Sequence, residues 1–314
     1  MLWAITSFFN PAGYKNRLIN YRLFRSHLRV PLVAVELSFS GKFELRESDA
    51  EILVQIRGGD VMWQKERLLN VALRSLPSEC DMVAWLDCDV IFSSNDWSER
   101  TREALKTSAI VQLYSERRNL ARGGLGDSSG ESLVDFTVPA VACKYLSGTL
   151  LPEDLNRPGS QIERRSTTGL AWAASRGLLE KNGLYDARIF GSGDKAILCA
   201  AIGRFEYAEE ALSMNSRQRE HYRAWGNPLF ADTGGRVGYI EGLIWHLWHG
   251  DPGDRRYESR HLALKQFDYD PYSDIALGRN RVWRWNSNKP EMHEFVVRYF
   301  QTRREDGRAD VVAE

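Results

Sequence analysis

Two aspartates separated by one residue, Asp87 and Asp89, directly follow the apolar run 82–86. A run of that length and composition is typical of a buried strand in an α/β sheet. Ligands of open α/β sheets bind beyond the carboxyl ends of the strands, and two carboxylates on one side of an extended chain can hold a hard divalent cation. The position of the pair therefore predicts a metal site of the kind that a diphosphate ligand requires.

A second pair with the same spacing occurs at Asp268 and Asp270. No apolar strand precedes this pair and Pro271 follows it, which favours a turn with solvated carboxylates. For Asp87 and Asp89, the alternative to a metal site is a pair of acids that end a strand or cap a helix without binding a ligand.

Two histidines, His246 and His249, end an apolar run and lead into a loop rich in Gly, Pro and Arg. Imidazole complements carboxylates around Mn²⁺ and suits Mg²⁺ less well. Residues three apart on a strand face opposite sides, so we expect only one of the two to reach the metal. His249 adjoins the loop and is the expected ligand, whereas His246 is expected to point into packing.

Asp194 follows Gly191 and Gly193 and precedes the apolar helical stretch 196–202. Glycines at these positions let the backbone approach a ligand, and they place Asp194 at the amino terminus of a helix. The alternative is that Asp194 only caps that helix, because aspartate is among the preferred capping residues.

The hydrophobic periodicity predicts the elements that position these residues. Strands are predicted at 2–9, 32–37, 51–56, 82–86 and 109–113, and helices at 14–27, 61–76 and 96–106. Strands that alternate with helices at this spacing indicate a single α/β domain with a Rossmann-like, mostly parallel central sheet and helices on both faces. No linker divides the chain, and the charged residues 301–314 are expected to form a flexible tail.

Composition narrows the function classes. The 314 residues include 42 Lys and Arg against 42 Asp and Glu, so the chain lacks the basic excess of most nucleic-acid-binding proteins. Its four cysteines form no Cys-x-x-Cys pair, and the first residues lack the basic region and cleavage site of a signal peptide. No apolar run approaches the roughly twenty residues that span a bilayer. We therefore expect a cytoplasmic protein without a membrane span.

Three blocks of the sequence together match a family pattern. The first is residues 63–70, WQKERLLN; the second is Asp87-Cys88-Asp89 with the preceding Trp-Leu; the third runs from 168–172 through 184–186 to 190–194. In order and spacing these blocks resemble the Arg-x-x-Leu-x-Asn, Asp-x-Asp (or Asp-x-His) and Gly-Gly-Leu-Phe-Ala … Gly-x-Tyr-Asp … Trp-Gly-Gly-Glu segments of metal-dependent GT-A glycosyltransferases. The likeness is greatest to the β-1,4-galactosyltransferases and the polypeptide N-acetylgalactosaminyltransferases, and it covers roughly residues 1–260.

The resemblance implies a GT-A catalytic domain over residues 1–300, with a donor-binding half up to about 115 and an acceptor-side half beyond it. Asp89 and His249 would bind Mn²⁺ or Mg²⁺, Asp87 would contact the metal or the donor ribose, and Asp194 would be the acceptor-side catalytic acid. The remaining implied donor-binding residues are Thr6, Ser7, Phe8, Asn10, Arg67, Gly169, Trp172, Arg255, Arg256 and Tyr257. The last three could close over the phosphates as a lid or form a solvated loop.

Two features depart from the family pattern. Lys195 follows Asp194, whereas the family has Glu followed by Asp or Asn. The membrane anchor, disulfides and lectin domain of the animal enzymes are also missing, which implies a cytosolic microbial or viral relative.

The sequence thus favours a transferase that moves a sugar from a nucleotide-diphosphate donor, with UDP-sugars first among the candidates. The acceptor hydroxyl would lie on a glycan, a glycolipid or a modified nucleobase. Two alternatives remain open: a non-catalytic protein that binds nucleotide sugars or carbohydrates, and a nucleotidyltransferase. The second usually has a loop rich in Gly and basic residues after its first strand, and residues 10–13 are a poor version of it.

Overall fold

The computed structural model describes residues 1–124, 133–151, 153–156, 165–256 and 259–307. The strands are β1 (Leu2–Phe9), β2 (Leu32–Ser38), β3 (Ile52–Arg57), β4 (Met82–Leu86), β5 (Val90–Phe92), β6 (Ile110–Gln112), β7 (Glu116–Leu120), β8 (Val134–Pro139), β9 (Ala171–Ser175), β10 (Val237–Tyr239), β11 (Leu243–His246), β12 (Ile275–Leu277) and β13 (Trp283–Trp285). The α-helices are α1 (Lys15–His27), α2 (Lys65–Leu73), α3 (Trp97–Ala104), α4 (Val141–Leu146), α5 (Glu153–Asn156), α6 (Arg176–Asn182), α7 (Gly193–Ala201), α8 (Phe205–Ala211), α9 (Ser216–Thr233), α10 (Arg260–Leu264) and α11 (Pro290–Gln301).

The main sheet has the strand order β10-β6-β9-β4-β1-β2-β3. Strands β1, β2, β3 and β4 run parallel, as do β6 and β10, whereas β9 is antiparallel to both β4 and β6. Every residue of β1 and β2 is buried, as expected of parallel strands whose faces both lie inside the protein. The predicted mostly parallel α/β sheet is confirmed. Strands β9 and β10 belong to the second half of the chain, so the two halves share one sheet.

Alternate side chains of β1 enter two cores on opposite faces of the main sheet. Ile5 and Phe9 belong to the core that includes the apolar residues of α2. Ala4 and Phe8 belong to the core that includes Tyr21 of α1 and Trp97 of α3. The period-two alternation of an extended strand therefore explains why helices cover both faces of the sheet, as predicted.

A second sheet, in the order β5-β11-β7-β8, begins where the Asp87–Asp89 turn ends. This turn carries the chain from β4 of the main sheet to β5 of the second. Strand β11 is antiparallel to β5, with His246 opposite Val90, and parallel to β7, with His246 opposite Asn119. The register of three strands from distant parts of the sequence therefore brings the aspartate turn, His246 and Asn119 together.

The turn predicted around Asp268 and Asp270 is present. Asp268 has a left-handed φ of 44°, and Asp270 accepts a hydrogen bond from the backbone N–H of Tyr272 and lies 3.3 Å from Arg217. Neither residue belongs to a carboxylate–histidine cluster in the described part of the chain. In the same part, no helix is both long enough and apolar enough to cross a bilayer.

The residues that follow α11 do not form a flexible tail as far as residue 307. Arg303 and Glu305 are buried, and Arg303 Nε lies 2.6 Å from Glu305 Oε1. Arg17 Nη1 lies 3.3 Å from the same oxygen. The prediction of a flexible tail does not hold for 303–307, where the buried charges of Arg303 and Glu305 pair with each other and with Arg17. Residues 308–314 lie outside the described part of the chain.

Candidate metal and nucleotide site

A cleft opens at the carboxyl ends of β1 and β4, the edge where ligands of α/β sheets bind. Its side chains include Ser7 and Phe9 of β1, Asp87 and Asp89 after β4, His246 at the end of β11 and His249 just beyond it. The predicted position of the aspartate pair at a ligand-binding edge is thus what the structure shows.

Three side chains in this cleft converge on one point. His246 Nε2 lies 3.7 Å from Asp89 Oδ1, and His249 Nε2 lies 3.8 Å from Asp89 Oδ2. These distances are too long for hydrogen bonds but suit two ligands of one cation, since each metal–ligand bond is about 2.0–2.2 Å. Among the described residues, none forms a hydrogen bond with the buried Asp89 Oδ1. The three residues fit a divalent metal.

Hydrogen bonds orient both histidine rings so that the Nε2 lone pair of each points towards Asp89. His246 Nδ1 lies 2.6 Å from Asn119 Oδ1, and His249 Nδ1 lies 2.9 Å from the carbonyl oxygen of Leu247. Both partners are acceptors, so each Nδ1 carries the proton and each Nε2 presents a lone pair. Burial, with Arg117 and Arg255, holds the pKa of His246 well below its usual range, so this ring is neutral. Neutral imidazole is the form that ligates metals.

Both histidines lie beside Asp89, whereas only His249 was expected to reach a metal there. Strand β11 ends at His246, and the backbone N–H of Leu247 turns back to donate to the carbonyl of Asp89. Strand alternation therefore does not extend to His249, and the two rings lie side by side with centroids 4.5 Å apart. His246 belongs with the candidate ligands rather than with the core.

We expect His246→Gln and His249→Gln each to raise the Mn²⁺ concentration for half-maximal ligand binding by about a hundredfold or more, because each removes a ligand. Asn119→Ala should raise it by about 10–100-fold, the usual effect of losing the partner that orients a metal-bound histidine. Titration of Mn²⁺ in the presence of UDP measures all three. His293→Gln, at a ring stacked on Trp285, is the matched control. If only one of the two cleft histidine variants changed the required Mn²⁺ concentration, the metal would have a single histidine ligand.

Asp87 does not join this cluster, which corrects its predicted role as a metal ligand. Lys65 Nζ lies 2.5 Å from Asp87 Oδ1 and 2.7 Å from Asp194 Oδ2, so one ammonium bridges both carboxylates. Although burial opposes its charge, Asp194, Asp87 and Glu66 raise the pKa of Lys65 well above its usual range. Burial raises the pKa of Asp87 to about 7, against the opposing effect of Lys65.

Asp194 lies in the first turn of α7, beside the cleft. It is not the N-cap residue, because Ser192 holds that position with a left-handed φ of 68°. The alternative role of Asp194 as a simple helix cap is therefore wrong. Gly169 explains how its carboxylate fits: a Cβ at Gly169 would lie 3.2 Å from Asp194 Oδ2. A side chain at 169 would crowd this oxygen.

Glu66 is a further carboxyl of the cleft, and no pattern in the sequence signalled it. It is 2% exposed, and a Cβ on Gly193 would overlap its carboxyl group. Burial raises the pKa of Glu66 to about 8, and Asp194 and Asp87 add to the effect while Lys65 opposes it. The side chain is therefore a neutral acid at pH 7, held against the amino terminus of α7.

Glu66→Gln should raise the free energy of unfolding at pH 8 and flatten its pH dependence. Glu66 stays protonated in the folded protein up to about pH 8, whereas its unfolded form ionises near its usual value. The folded state therefore binds the extra proton, and stability falls as pH rises between those values. Urea unfolding at pH 5, 6, 7 and 8 tests this. Equal pH profiles for Glu66→Gln and wild type would contradict it.

Arginines surround the candidate metal site. Arg17, Arg117, Arg255 and Arg303 all line the cleft. Arg255 is buried and donates to the carbonyl of His249 at 2.5 Å, next to the metal cluster. Of the predicted lid residues that the structure describes, Arg255 lines the cleft and Arg256 does not. Arg256 is exposed, while Tyr257 lies outside the described residues.

Of Thr6, Ser7, Phe8 and Asn10, which were predicted to contact the nucleobase, only Ser7 lines the cleft. Thr6 is buried and donates to the carbonyl of Leu86 at 2.7 Å, and Phe8 packs against Tyr21 on the other face of the sheet. Strand alternation directs residue 7 towards the cleft and its two neighbours away from it. Asn10 holds the following turn through two hydrogen bonds with Tyr14 and does not line the cleft.

Arg67 and Trp172 also have structural positions rather than the predicted donor-binding ones. Arg67 lies 2.9 Å from Asp186, and Asn70 donates to the same carboxylate. The first and third blocks of the resemblance are thus joined by packing between α2 and the loop before α7. Trp172 is buried, stacks on Trp85 and donates to the carbonyl of Thr168 at 2.9 Å.

No protein-family model matches this chain, and neither does any curated protein. Among solved structures, the chain is similar to glucosyl-3-phosphoglycerate synthase from Mycobacterium tuberculosis in complex with Mn²⁺, UDP and phosphoglyceric acid: 15% identity, TM-score 0.42, over 88% of this chain and 81% of that one. It is also similar to residues 1–349 of TarS from S. aureus, with 10% identity and TM-score 0.39 over 96% and 71% of the two chains. A third similar structure is 4-diphosphocytidyl-2C-methyl-D-erythritol synthase from Anaerococcus prevotii, with 13% identity and TM-score 0.34 over 77% and 87%. Similarity this distant leaves the function to be argued from the side chains of the cleft.

Proposed function

We propose that this protein is a metal-dependent glycosyltransferase that uses a nucleotide-diphosphate sugar, with a UDP-sugar as donor and Mn²⁺ as the metal. The observation that carries the proposal is the convergence of Asp89, His246 and His249 at 3.7–3.8 Å with two Nε2 lone pairs aimed at one carboxylate. A cation between the three groups makes such an arrangement favourable, because without one the lone pairs and the carboxylate repel each other.

The metal would neutralise the charge that develops on the departing diphosphate. Arg17, Arg117 and Arg255, which line the same cleft, would bind phosphate oxygens, for which the planar guanidinium is well suited. Ser7 and the adjoining end of β1 would contact the nucleoside, as strand ends at this edge of the sheet do. These groups together account for a nucleoside diphosphate in the cleft.

On the acceptor side, Asp194 would take the proton from the attacking hydroxyl in an inverting reaction. It borders the cleft at a helix amino terminus, and Gly169 leaves its carboxylate uncrowded. Lys65 would hold Asp194 and Asp87 in place while it neutralises part of their charge. The acceptor would be a hydroxyl on a glycan, a glycolipid or a modified nucleobase.

A panel of nucleotide sugars incubated with the protein and Mn²⁺ tests this proposal. We expect slow release of UDP from at least one UDP-sugar, dependent on Mn²⁺ and lost in the presence of a chelator. Formation of a nucleotide sugar from a nucleoside triphosphate and a sugar phosphate would instead identify a nucleotidyltransferase. Tight binding without turnover of any donor, with and without acceptors, would favour the non-catalytic alternative.

Asp194→Asn should lower sugar transfer by about 10²–10⁴-fold, the usual effect of removing a positioned base, while the affinity for UDP changes little. Asparagine keeps the shape and the contact with Lys65 but cannot take the proton. Transfer and UDP binding are measured on the same preparation. Asp232→Asn, which removes a carboxylate paired with a lysine on the surface, is the matched control. Near-normal transfer by Asp194→Asn would exclude this residue as the base.

A further inference from the structure

The segment 302–307, which follows α11, is docked against the amino terminus of α1. Tyr14, the residue that precedes this helix, provides no side-chain cap in the described structure. Instead, Asp306 accepts hydrogen bonds from the backbone N–H groups of Lys15 at 3.1 Å and Asn16 at 2.8 Å. An acidic side chain at this position satisfies two unpaired donors and complements the helix dipole. Asp306 therefore fixes the segment to α1.

The other side of the segment rests on the loop that carries the candidate metal ligands. Gly250 directly follows His249 and has a positive φ of 98°. A Cβ at Gly250 would lie 2.8 Å from the carbonyl oxygen of Arg303 and 3.0 Å from that of Arg304. The backbone of the segment thus packs directly against the residue next to His249, and only glycine allows this approach.

Between these two contacts, Glu305 connects three arginines of the cleft. Its carboxylate lies 2.6 Å from Arg303, 3.3 Å from Arg17 and 4.0 Å from Arg255. Glu305 is 1% exposed, so these charges interact with little screening by water. Although burial opposes its charge, the arginines hold the pKa of Glu305 below its usual value, and the side chain is ionised at neutral pH.

We propose that segment 302–307 forms one side of the diphosphate subsite, and that Glu305 positions Arg17 and Arg255 to bind the phosphate oxygens. The proposal rests on the proposed function, because it assumes that the cleft binds a nucleoside diphosphate. Arg17 comes from α1 and Arg255 from the loop after β11, and Glu305 is the acidic group that contacts both. Glu305 would act through these arginines rather than by touching the donor.

Asp306→Ala tests the docking of the segment without altering a cleft side chain. We expect it to weaken UDP binding in the presence of Mn²⁺ by about tenfold, because loss of the anchor loosens Arg17 and Arg255. The matched control is Asn215→Ala, which removes the side-chain cap of α9 away from the cleft. This control should change UDP affinity by no more than about twofold. Calorimetry measures both affinities, and circular dichroism confirms that both variants fold.

Glu305→Gln tests the positioning role through the difference between UDP and UMP. A general loss of structure would weaken both ligands equally, whereas displaced arginines should mainly affect the second phosphate. We therefore expect the ratio of UDP to UMP affinity to fall by about tenfold. Glu294→Gln, which removes an exposed glutamate paired with Arg298 on α11, should leave the ratio unchanged.

The outcomes separate the two proposals. No binding of UDP by the wild type would overturn the proposed function and this inference together. Wild-type binding with an unchanged UDP affinity in Asp306→Ala, or an unchanged ratio in Glu305→Gln, would overturn the inference alone. Tighter UDP binding by Glu305→Gln would also overturn it, since the carboxylate would then compete with the phosphates instead of positioning the arginines.

Discussion

Asp89→Asn is expected to weaken Mn²⁺-dependent UDP binding by at least about a hundredfold and to abolish detectable transfer. Asp89 is the carboxylate on which both histidine Nε2 atoms converge, and an amide is a poor ligand for a divalent cation in its place. The fold should survive, because asparagine has the same shape and the backbone carbonyl of residue 89 still accepts from Leu247. Calorimetric titration of UDP with and without Mn²⁺ measures the effect.

The same substitution should leave stability unchanged or slightly higher. Burial raises the pKa of Asp89, against the effect of Arg255 and Arg17, so its charge is disfavoured in the metal-free protein. Asp268→Asn, in the turn with the same Asp-x-Asp spacing, is the control and should retain wild-type UDP affinity. Equal UDP affinities for Asp89→Asn and wild type in Mn²⁺ would remove Asp89 from the metal site.

Lys65→Met should lower the free energy of unfolding at pH 7 by about 3–5 kcal/mol, the largest stability effect that we expect in this protein. Lys65 is 10% exposed in its side chain and is the ammonium between Asp87 and Asp194. Its removal leaves two largely buried carboxylates without the cation between them. Lys181→Met, which breaks the exposed pair with Asp232, should cost no more than about 1 kcal/mol.

The loss in Lys65→Met should shrink as the pH falls. Burial and the neighbouring carboxylates already raise the pKa of Asp87, and losing the ammonium raises it further. A carboxyl whose folded-state pKa exceeds its unfolded value costs stability above the unfolded pKa, and this cost disappears as both states become protonated. In urea unfolding, the stability of Lys65→Met should therefore differ less from that of wild type at pH 5 than at pH 8. A loss that is independent of pH would show that Lys65 contributes packing rather than charge.

The sequence was sufficient to predict five of the seven strands of the main sheet and one side of the cleft, but not β9 and β10. Strands β1 and β4 are uninterrupted apolar runs, and buried parallel strands require such runs on both faces. The location of Asp89 in the cleft was predicted from the rule that ligands bind at the carboxyl ends of strands. Asp194 borders the cleft at the start of α7, as predicted, but Gly191 and Gly193 make room for Trp63 and Glu66.

Other parts of the site depend on contacts between residues that are far apart in the sequence. His246 reaches Asp89 because β11 pairs with β5 and then ends, and strand alternation alone gives the opposite answer. Lys65 resembles any solvated lysine at the start of a helix until Asp87 and Asp194 are placed around it. No local pattern shows that Asp306 caps a helix near the other end of the chain.

Two side chains to which the galactosyltransferase resemblance assigned donor binding lie outside the cleft. Arg67 serves the packing of α2 against the loop before α7, and Trp172 serves the core beneath the cleft. A motif of this kind records residues that recur together, and recurrence can arise from packing as readily as from ligand binding. Lys65, which contacts two cleft carboxylates, lies in the same block as Arg67.

Anomalous diffraction at the manganese absorption edge, from crystals grown with Mn²⁺ and UDP, tests the central claim most directly. We predict a single strong peak in the cleft, about 2.0–2.3 Å from an oxygen of Asp89 and from Nε2 of both His246 and His249, with the diphosphate of UDP beside it. A peak bound by Asp87 instead, or UDP in the cleft with no manganese near Asp89, would contradict the account.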